Sequence, residues 1–343
     1  MNPTTAHAPF RLVALLVVYV LPSAATAQIP QFDCFYVFDD SLADNGNIGI
    51  QTTAMGIEPT VPPSETPHRT YFNYRFSNGY IGFEYLWQRV SGHLPDSPLA
   101  LKPFLAAPFT QNGCAVDFAF GGTGTTYLDQ TPGGFYAPGL KGQVELLRAA
   151  LRGRKPSSRS LYAIATGAND YRNDPFNVPM NPADVVRNIE NAIVSLHRIG
   201  ARNVMVLDLP DLGLIPGNLI DENTSKAASA ISAAHNAALY AMVSRLQSQY
   251  PQLHLILVRL NPLFDDLRAR FGANAPVPMI SAFAADPAMA GCLFIDPVTC
   301  TDMPDFTFQS ALPFLFWDVV HPTTEAYRHL GDYMYDLLTG EYE

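Results

Sequence analysis

The stretch that decides the fold is LYAIAT (161–166), PADVVRNIENAIVSLHRI (182–199) and NVMVL (203–207). Two short apolar runs, rich in β-branched and aromatic side chains, flank a longer segment of different period. Within that segment Val185, Val186, Ile189, Ile193, Val194, Leu196 and His197 recur at helical spacing and fall on one face. Gly200 then stops the helix. The same alternation continues in both directions. Strands are predicted at Asp33–Phe38, Ala115–Phe120 and His254–Val258. Helices are predicted at Tyr80–Val90, Gln143–Leu151, Asn223–Gln249 and Pro262–Phe271, and a last one from about Thr323 to Leu338. Strands alternating with crossover helices read as an α/β chain whose parallel sheet is covered on both faces. Ligands of such sheets sit beyond the carboxyl ends of the strands, so chemistry is sought just after each strand.

Composition narrows the function. The 343 residues carry a net charge of −10. This excess of acid excludes a nucleic-acid binder, which needs a basic face for phosphates. Charged residues make up 15%, too few for a charge-rich disordered chain. No apolar run reaches the roughly 18 residues that span a bilayer. Near the N-terminus, Arg11 precedes the apolar run Leu12–Leu21, then Pro22 and the small residues of Ala25-Thr26-Ala27. That pattern predicts a signal peptide over 1–27, cut after Ala27, and a secreted or periplasmic product. Residues 28–343 are expected to form a single domain. Four cysteines in an exported chain suggest two disulfides, against the alternative of free buried thiols. Cys292 and Cys300 bracket a short Pro-containing loop and are paired on that ground, which leaves Cys34 with Cys114. Two Pro-rich aromatic stretches, about 50–110 and 274–313, interrupt the alternation. Long irregular segments of this kind are lids, binding loops or plain surface.

Four short segments carry chemistry. After the first strand comes Asp39-Asp40-Ser41-Leu42, then a Gly/Asn-rich turn that exposes a serine at the mouth of the sheet. Alone this is weak, because Ser and Asp before a helix are usually caps. The second strand runs into Phe120-Gly121-Gly122-Thr123, where glycine lets a backbone N–H approach a ligand closely. The third gives Gly167-Ala168-Asn169-Asp170, whose Asn amide can meet an oxyanion or merely form an Asx-turn. Asp318-Val319-Val320-His321 sets a carboxylate and an imidazole side by side, so that one orients the other. As a metal site that pair lacks a third ligand.

In order and position these blocks resemble the SGNH hydrolases, also called the GDSL esterase/lipase family. The matching residues are Asp39-Asp40-Ser41-Leu42, Asp117–Gly122, Gly167-Ala168-Asn169-Asp170 and Asp318–Pro322, with support from Arg75–Gly79 and Pro210–Gly213. The likeness runs from Cys34 to the last helix and extends to plant-type and bacterial lecithinase/hemolysin-like members. With Glu343 soon after the last block, the chain is expected to lack the C-terminal barrel of some bacterial relatives. One position departs: Asp39 stands where the family has glycine. If the backbone there has positive φ, Asp is among the few tolerated residues. Its carboxylate is otherwise expected to act on His321 or to repel anionic substrates.

The resemblance implies a flavodoxin-like three-layer α/β/α sandwich with a mainly parallel five-stranded sheet. It implies a serine esterase or lipase that cleaves carboxylic esters, with Ser41 as nucleophile, His321 as base and Asp318 orienting it. The oxyanion donors would be the N–H groups of Ser41 and Gly122 and the amide of Asn169. Neither the residues nor the resemblance calls for a metal or organic cofactor. The expected partner is a small-molecule or lipid ester, with room for transient contact with a lipid surface and no obligate protein partner. Alternatives with the same triad are a polysaccharide O-deacetylase and an acyltransferase. A non-catalytic exported binding protein of the same fold is the alternative from another class. Aromatic residues near Phe306–Phe316 are candidates to line an acyl pocket. Asp40 and Asp44 are expected to brace the turn by hydrogen bonds, and His235 to be a surface or packing residue.

Overall fold

The computed structural model describes residues 31–65, 71–106, 114–172, 178–219, 221–273 and 315–340. The expected signal peptide, the Cys292–Cys300 pair and the 274–313 stretch lie outside the described residues. In chain order the elements are β1 (Cys34–Phe38), α1 (Asn47–Ala54), α2 (Gly82–Ser91), β2 (Lys102–Pro103) and β3 (Ala115–Asp117). A two-stranded hairpin, β4 (Asp129–Gln130) with β5 (Tyr136–Ala137), leads into α3 (Leu140–Leu151) and β6 (Ser160–Ile164). Then come α4 (Pro182–Ile199), β7 (Asn203–Leu207), α5 (Glu222–Gln249), β8 (His254–Val258), α6 (Leu260–Ala273) and α7 (Thr324–Thr339).

The sheet runs β2-β3-β1-β6-β7-β8, and every neighbouring pair is parallel. Without the two-residue β2 this is the flavodoxin order, in which the chain reverses direction across the sheet at β1. Both faces are buried because side chains alternate. Tyr36, Phe38, Tyr162, Ile164, Val204 and Val206 pack under α3, α4 and α5. Phe35, Val37, Leu161, Ala163, Met205 and Leu207 pack under α2 and α7. Strands buried on both sides explain the near-continuous apolar runs in the sequence.

The sheet therefore has six strands rather than the five expected. The extra strand lies at the edge, where Pro103 needs no ladder N–H, and two residues are too few to show a period. The second strand also stops at Asp117 instead of continuing to Phe120. There Asn47 Nδ2 donates to the carbonyls of Asp117 (3.0 Å) and Ala119 (2.8 Å), while the Phe118 and Phe120 N–H groups still donate to the carbonyls of Val37 (2.8 Å) and Asp39 (3.3 Å). Helix α1 was not foreseen, since it contains Gly49, Thr52 and Thr53, all poor helix formers. Helix α4 matches its predicted bounds. Asn181 caps it by accepting the Asp184 N–H, and Gly200 ends it. On its buried face Ala192 replaces Val194 and His197, which are only half-buried. Cys34 and Cys114 form a disulfide at the start of β1 and just before β3.

Candidate active site

The site forms where three adjacent strands end. β3, β1 and β6 deliver Gly122, Ser41 and Asn169 to the same edge of the sheet, at the reversal point. The turn after β1 is held by backbone donors that converge on carboxylates. Asp44 Oδ1 accepts the N–H groups of Gly46 (2.8 Å) and Asn47 (2.6 Å). Its Oδ2 accepts those of Ile48 (3.0 Å) and Gly121 (2.8 Å). One buried side chain thus ties the Ser41 turn to the glycine turn. Asp40 Oδ1 accepts the Leu42 N–H at 3.0 Å, and its Oδ2 accepts Asn169 Nδ2 at 3.0 Å. Both aspartates brace, as expected.

The glycine turn needs its glycines. Gly122 has φ +78°, and a Cβ there would lie 2.7 Å from Pro132 Cδ. A Cβ on Gly121 would lie 2.4 Å from the Phe76 ring. Asn169 sits in a short 3₁₀ turn, Ala168–Tyr171, opened by Gly167. Its amide bridges the two turns by donating to Asp40 Oδ2 and to the Thr123 carbonyl, each at 3.0 Å. Among the described residues, the backbone N–H groups of Ser41 and Gly122 donate to no protein acceptor.

The fourth block closes on this edge from the opposite end of the chain. Ser41 Oγ lies 2.8 Å from His321 Nε2, and His321 Nδ1–H donates to Asp318 Oδ2 at 2.7 Å. Asp318 Oδ1 accepts the N–H groups of Val320 and His321, both at 2.7 Å, so the loop folds around its own carboxylate. The Trp317 N–H returns to the His321 carbonyl at 2.7 Å.

Four residues from the 50–110 stretch complete the arrangement. Tyr71 OH donates to Asp318 Oδ2 at 2.7 Å. The Phe76 ring lies 5.0 Å from the His321 ring, centroid to centroid. Ser77 Oγ donates to the Pro322 carbonyl at 2.9 Å, and Asn78 Oδ1 accepts the Thr324 N–H at 2.8 Å. Behind them Arg75 makes a paired contact with Glu84 at 2.8 and 2.6 Å. The Arg75–Gly79 block gave a signal in the sequence. Tyr71 gave none, because a lone tyrosine in a Pro-rich loop has no period or partner to mark it.

Burial sets the charge states. It pushes the Asp40 carboxyl up to about 6, partly offset by the Leu42 N–H, His321, Arg172 and Asn169. It takes Asp44 to about 6 despite four N–H donors, and Asp170 to about 7. Asp318 goes the other way. Burial opposes its charge, but the adjoining His321 and the bonds from His321 and Tyr71 hold it below the ordinary value. Asp39 is wholly buried, and burial next to Asp40 drives its pKa well up. One oxygen accepts the Asp40 N–H at 2.7 Å while the other has no partner among the described residues. Asp39 does not have positive φ, so backbone strain does not account for it. Burial thus favours its neutral form, which works against the expected repulsion of an anionic substrate. His235 is fully buried rather than superficial; its Nδ1 lies 2.7 Å from Tyr171 OH.

The sequence pattern of the family described as GDSL-like Lipase/Acylhydrolase matches residues 36–334. The chain belongs to that family. A GDSL esterase/lipase of Arabidopsis thaliana is 22% identical over 353 residues, covering 94% of each chain. Another from the same plant is 26% identical over 335 residues, covering 89% of this chain and 86% of its own. Among solved structures, an α/β hydrolase from the metagenome of Lake Arreo, Spain, aligns with a TM-score of 0.45 and 13% identity. It covers 92% of this chain and 98% of the other. As a GDSL-type lipase/acylhydrolase, the chain is a hydrolase acting on esters.

Two cavities open beside the GDSL site. One, about 140 Å³, is apolar and is bounded in part by Leu42, Val320 and Pro322, the chain neighbours of Ser41 and His321. Phe316 also lines it; Phe306–Phe314 lie outside the described residues. The other, about 230 Å³, is polar and begins at Asn169.

Proposed function

We propose that this chain is an exported serine carboxylic-ester hydrolase that works through an acyl-enzyme. The reading rests on one continuous line of contacts, Ser41 Oγ to His321 Nε2 to Asp318 Oδ2. A neutral serine hydroxyl is a weak nucleophile. His321 takes its proton as Oγ bonds to the ester carbonyl carbon, and Asp318 stabilises the imidazolium that forms. The carbonyl oxygen becomes an oxyanion, for which the N–H groups of Ser41 and Gly122 are preset donors. Asn169 supplies a third by turning one amide N–H from Asp40 or Thr123 to the oxyanion. The tetrahedral intermediate collapses, the C–O bond to the alcohol breaks, and His321 returns its proton to the leaving oxygen. Water then attacks the acyl-enzyme with His321 again as base, freeing the acid and restoring Ser41.

The apolar cavity beside Leu42 and Val320 suits the hydrocarbon part of the acyl group. The Cys34–Cys114 disulfide fits an oxidising compartment, in keeping with a signal peptide over 1–27. A chromogenic-ester assay of the wild type beside Ser41→Ala tests the assignment. The expected loss is about 10⁴-fold or more. An organophosphonate should abolish activity, with its adduct on the peptide carrying Ser41. Equal rates in both proteins, or an adduct only on another serine, would refute the proposal.

A further inference from the structure

The polar cavity points to the other half of the substrate. We infer that it seats the alcohol group, and that this group is a neutral polyol, a sugar ring above all. The inference rests on the ester-hydrolase reading and adds to it the chemistry of the leaving group.

Position comes first. Asn169 forms one wall of the 230 Å³ cavity. Its amide lies between Asp40, next to Ser41, and Thr123, next to Gly122. A group filling the cavity therefore lies against Asn169, the side of the site next to the Ser41 and Gly122 turns. The apolar cavity shares none of its lining residues with the polar one. The acyl and alcohol halves of an ester thus have separate seats of opposite character.

The chemistry of the walls selects among alcohols. Thr126, Asp129, Gln130, Tyr136 and Arg172 line the space. An anionic head group would meet the carboxyls of Asp129 and Asp170, and a cationic one would meet the Arg172 guanidinium. A neutral polyol offends neither, because each hydroxyl both donates and accepts. Gln130 Nε2 donates to the Gly134 carbonyl at 3.1 Å, while its Oε1 takes no donor among the described residues. Gln130 and Tyr136 face each other directly across the β4–β5 hairpin.

The rim favours a ring over an open chain. Tyr136 and Leu128, which line the opening, are 56% and 52% exposed, and Tyr127, next to Leu128 in the chain, is 56% exposed. Large apolar side chains grouped at a polar opening are an unusual exposure that marks binding surfaces. An aromatic ring with a polar tip suits an amphipathic partner, and a sugar offers a C–H face edged with hydroxyls. The hairpin is fixed by Gln51 Nε2, which donates to the Tyr136 carbonyl at 2.8 Å. The Tyr136 side chain is left facing solvent.

Binding and turnover test this separately. The full chain with Ser41→Ala is titrated, by NMR, with methyl glucoside, xylotetraose, glycerol, phosphocholine and glycerol phosphate. Saturable binding of methyl glucoside or xylotetraose, tighter than glycerol, is expected. Tyr136→Ala in that background should weaken it about tenfold, the scale of one lost contact. Tyr136→Phe should keep most of the affinity if the ring face is what binds. In the active protein, the ratio of kcat/KM for glucose butyrate over methyl butyrate should fall about tenfold with Tyr136→Ala. Tightest binding of glycerol would reassign the cavity to acylglycerols and overturn the sugar. Tightest binding of phosphocholine or glycerol phosphate, no saturable binding, or an unchanged ratio would overturn the inference entirely. Serine-dependent cleavage with no sugar binding defeats only this inference. Sugar binding in a chain whose Ser41→Ala variant hydrolyses esters like wild type defeats only the serine reading.

Discussion

The Ser41 turn and the Asp318–His321 loop meet at 2.8 Å, yet they are held by different means. The first is anchored by its own surroundings, with Asp40 and Asp44 collecting backbone N–H groups from nearby turns and two strand ends fixing the rest. The second is anchored by side chains from a distant stretch, Tyr71, Phe76, Ser77 and Asn78. The Ser41 side is therefore a property of the sheet, while the His321 side is a property of the 71–78 segment that packs against it. Damage to one should be read mainly in stability, and to the other mainly in turnover.

The sharpest break is Asp318→Asn. It leaves the loop's N–H acceptor but removes the charge that pairs with the imidazolium, so kcat should drop about 10⁴-fold with little change in melting. A drop below tenfold would show that His321 is oriented by something else. Next is Asp44→Ala, which strips four buried N–H groups of their acceptor. At about 1–3 kcal/mol for each buried unsatisfied group, a loss of at least about 3 kcal/mol is expected in denaturant unfolding. An unchanged midpoint would mean that the turn is held from elsewhere. Tyr71→Phe removes one hydrogen bond to Asp318 without emptying space. We expect kcat to fall about tenfold, the scale of a bond to a charged group, with the melting temperature nearly kept. A large stability loss there would erase the contrast between the two regions.

The smallest effect concerns pH. Asp39, Asp40, Asp44, Asp117 and Asp170 all have folded-state pKa values raised mainly by burial. An unfolded aspartate titrates near about 4. Between that value and the raised ones, the folded state holds more protons than the unfolded chain, so stability falls as pH rises. With Asp40 and Asp44 near about 6 and Asp170 near about 7, the decline should span roughly pH 4 to 7. Asp318, whose pKa is lowered, contributes in the opposite sense and loses its share on acidification. Melting temperatures that rise steadily from pH 5 to 7.5 would contradict the decline. Asp39→Asn should flatten the slope.

The same contrast governs what could be read from the sequence. The Ser41 side was legible because its parts are local. A strand period ends, a turn residue follows, and each block lies within a few residues of a strand. Asp318 and His321 were legible for the same reason, being three residues apart. Tyr71 was hidden because its partner Asp318 lies about 250 residues away and no spacing encodes that meeting. The sixth strand and α1 were missed because their residues follow tertiary demands, Asn47 tying off β3 and Pro103 filling an edge, against weak local preference. For Asp39 the sequence offered a backbone reading and a charge reading, and the backbone one fails because its φ is not positive. Its meaning lay in burial beside Asp40, which no linear pattern displays.

The Cys34–Cys114 bond joins the beginnings of the two strands whose far ends carry Ser41 and Gly122. A slip of one residue between these strands would slide one end past the other by about 3.3 Å and turn alternate side chains inside out. The covalent link forbids that slip. It acts as a peg at the back of the sheet that keeps the edge carrying Ser41 and Gly122 in alignment, and a reducing environment would withdraw it without touching either residue.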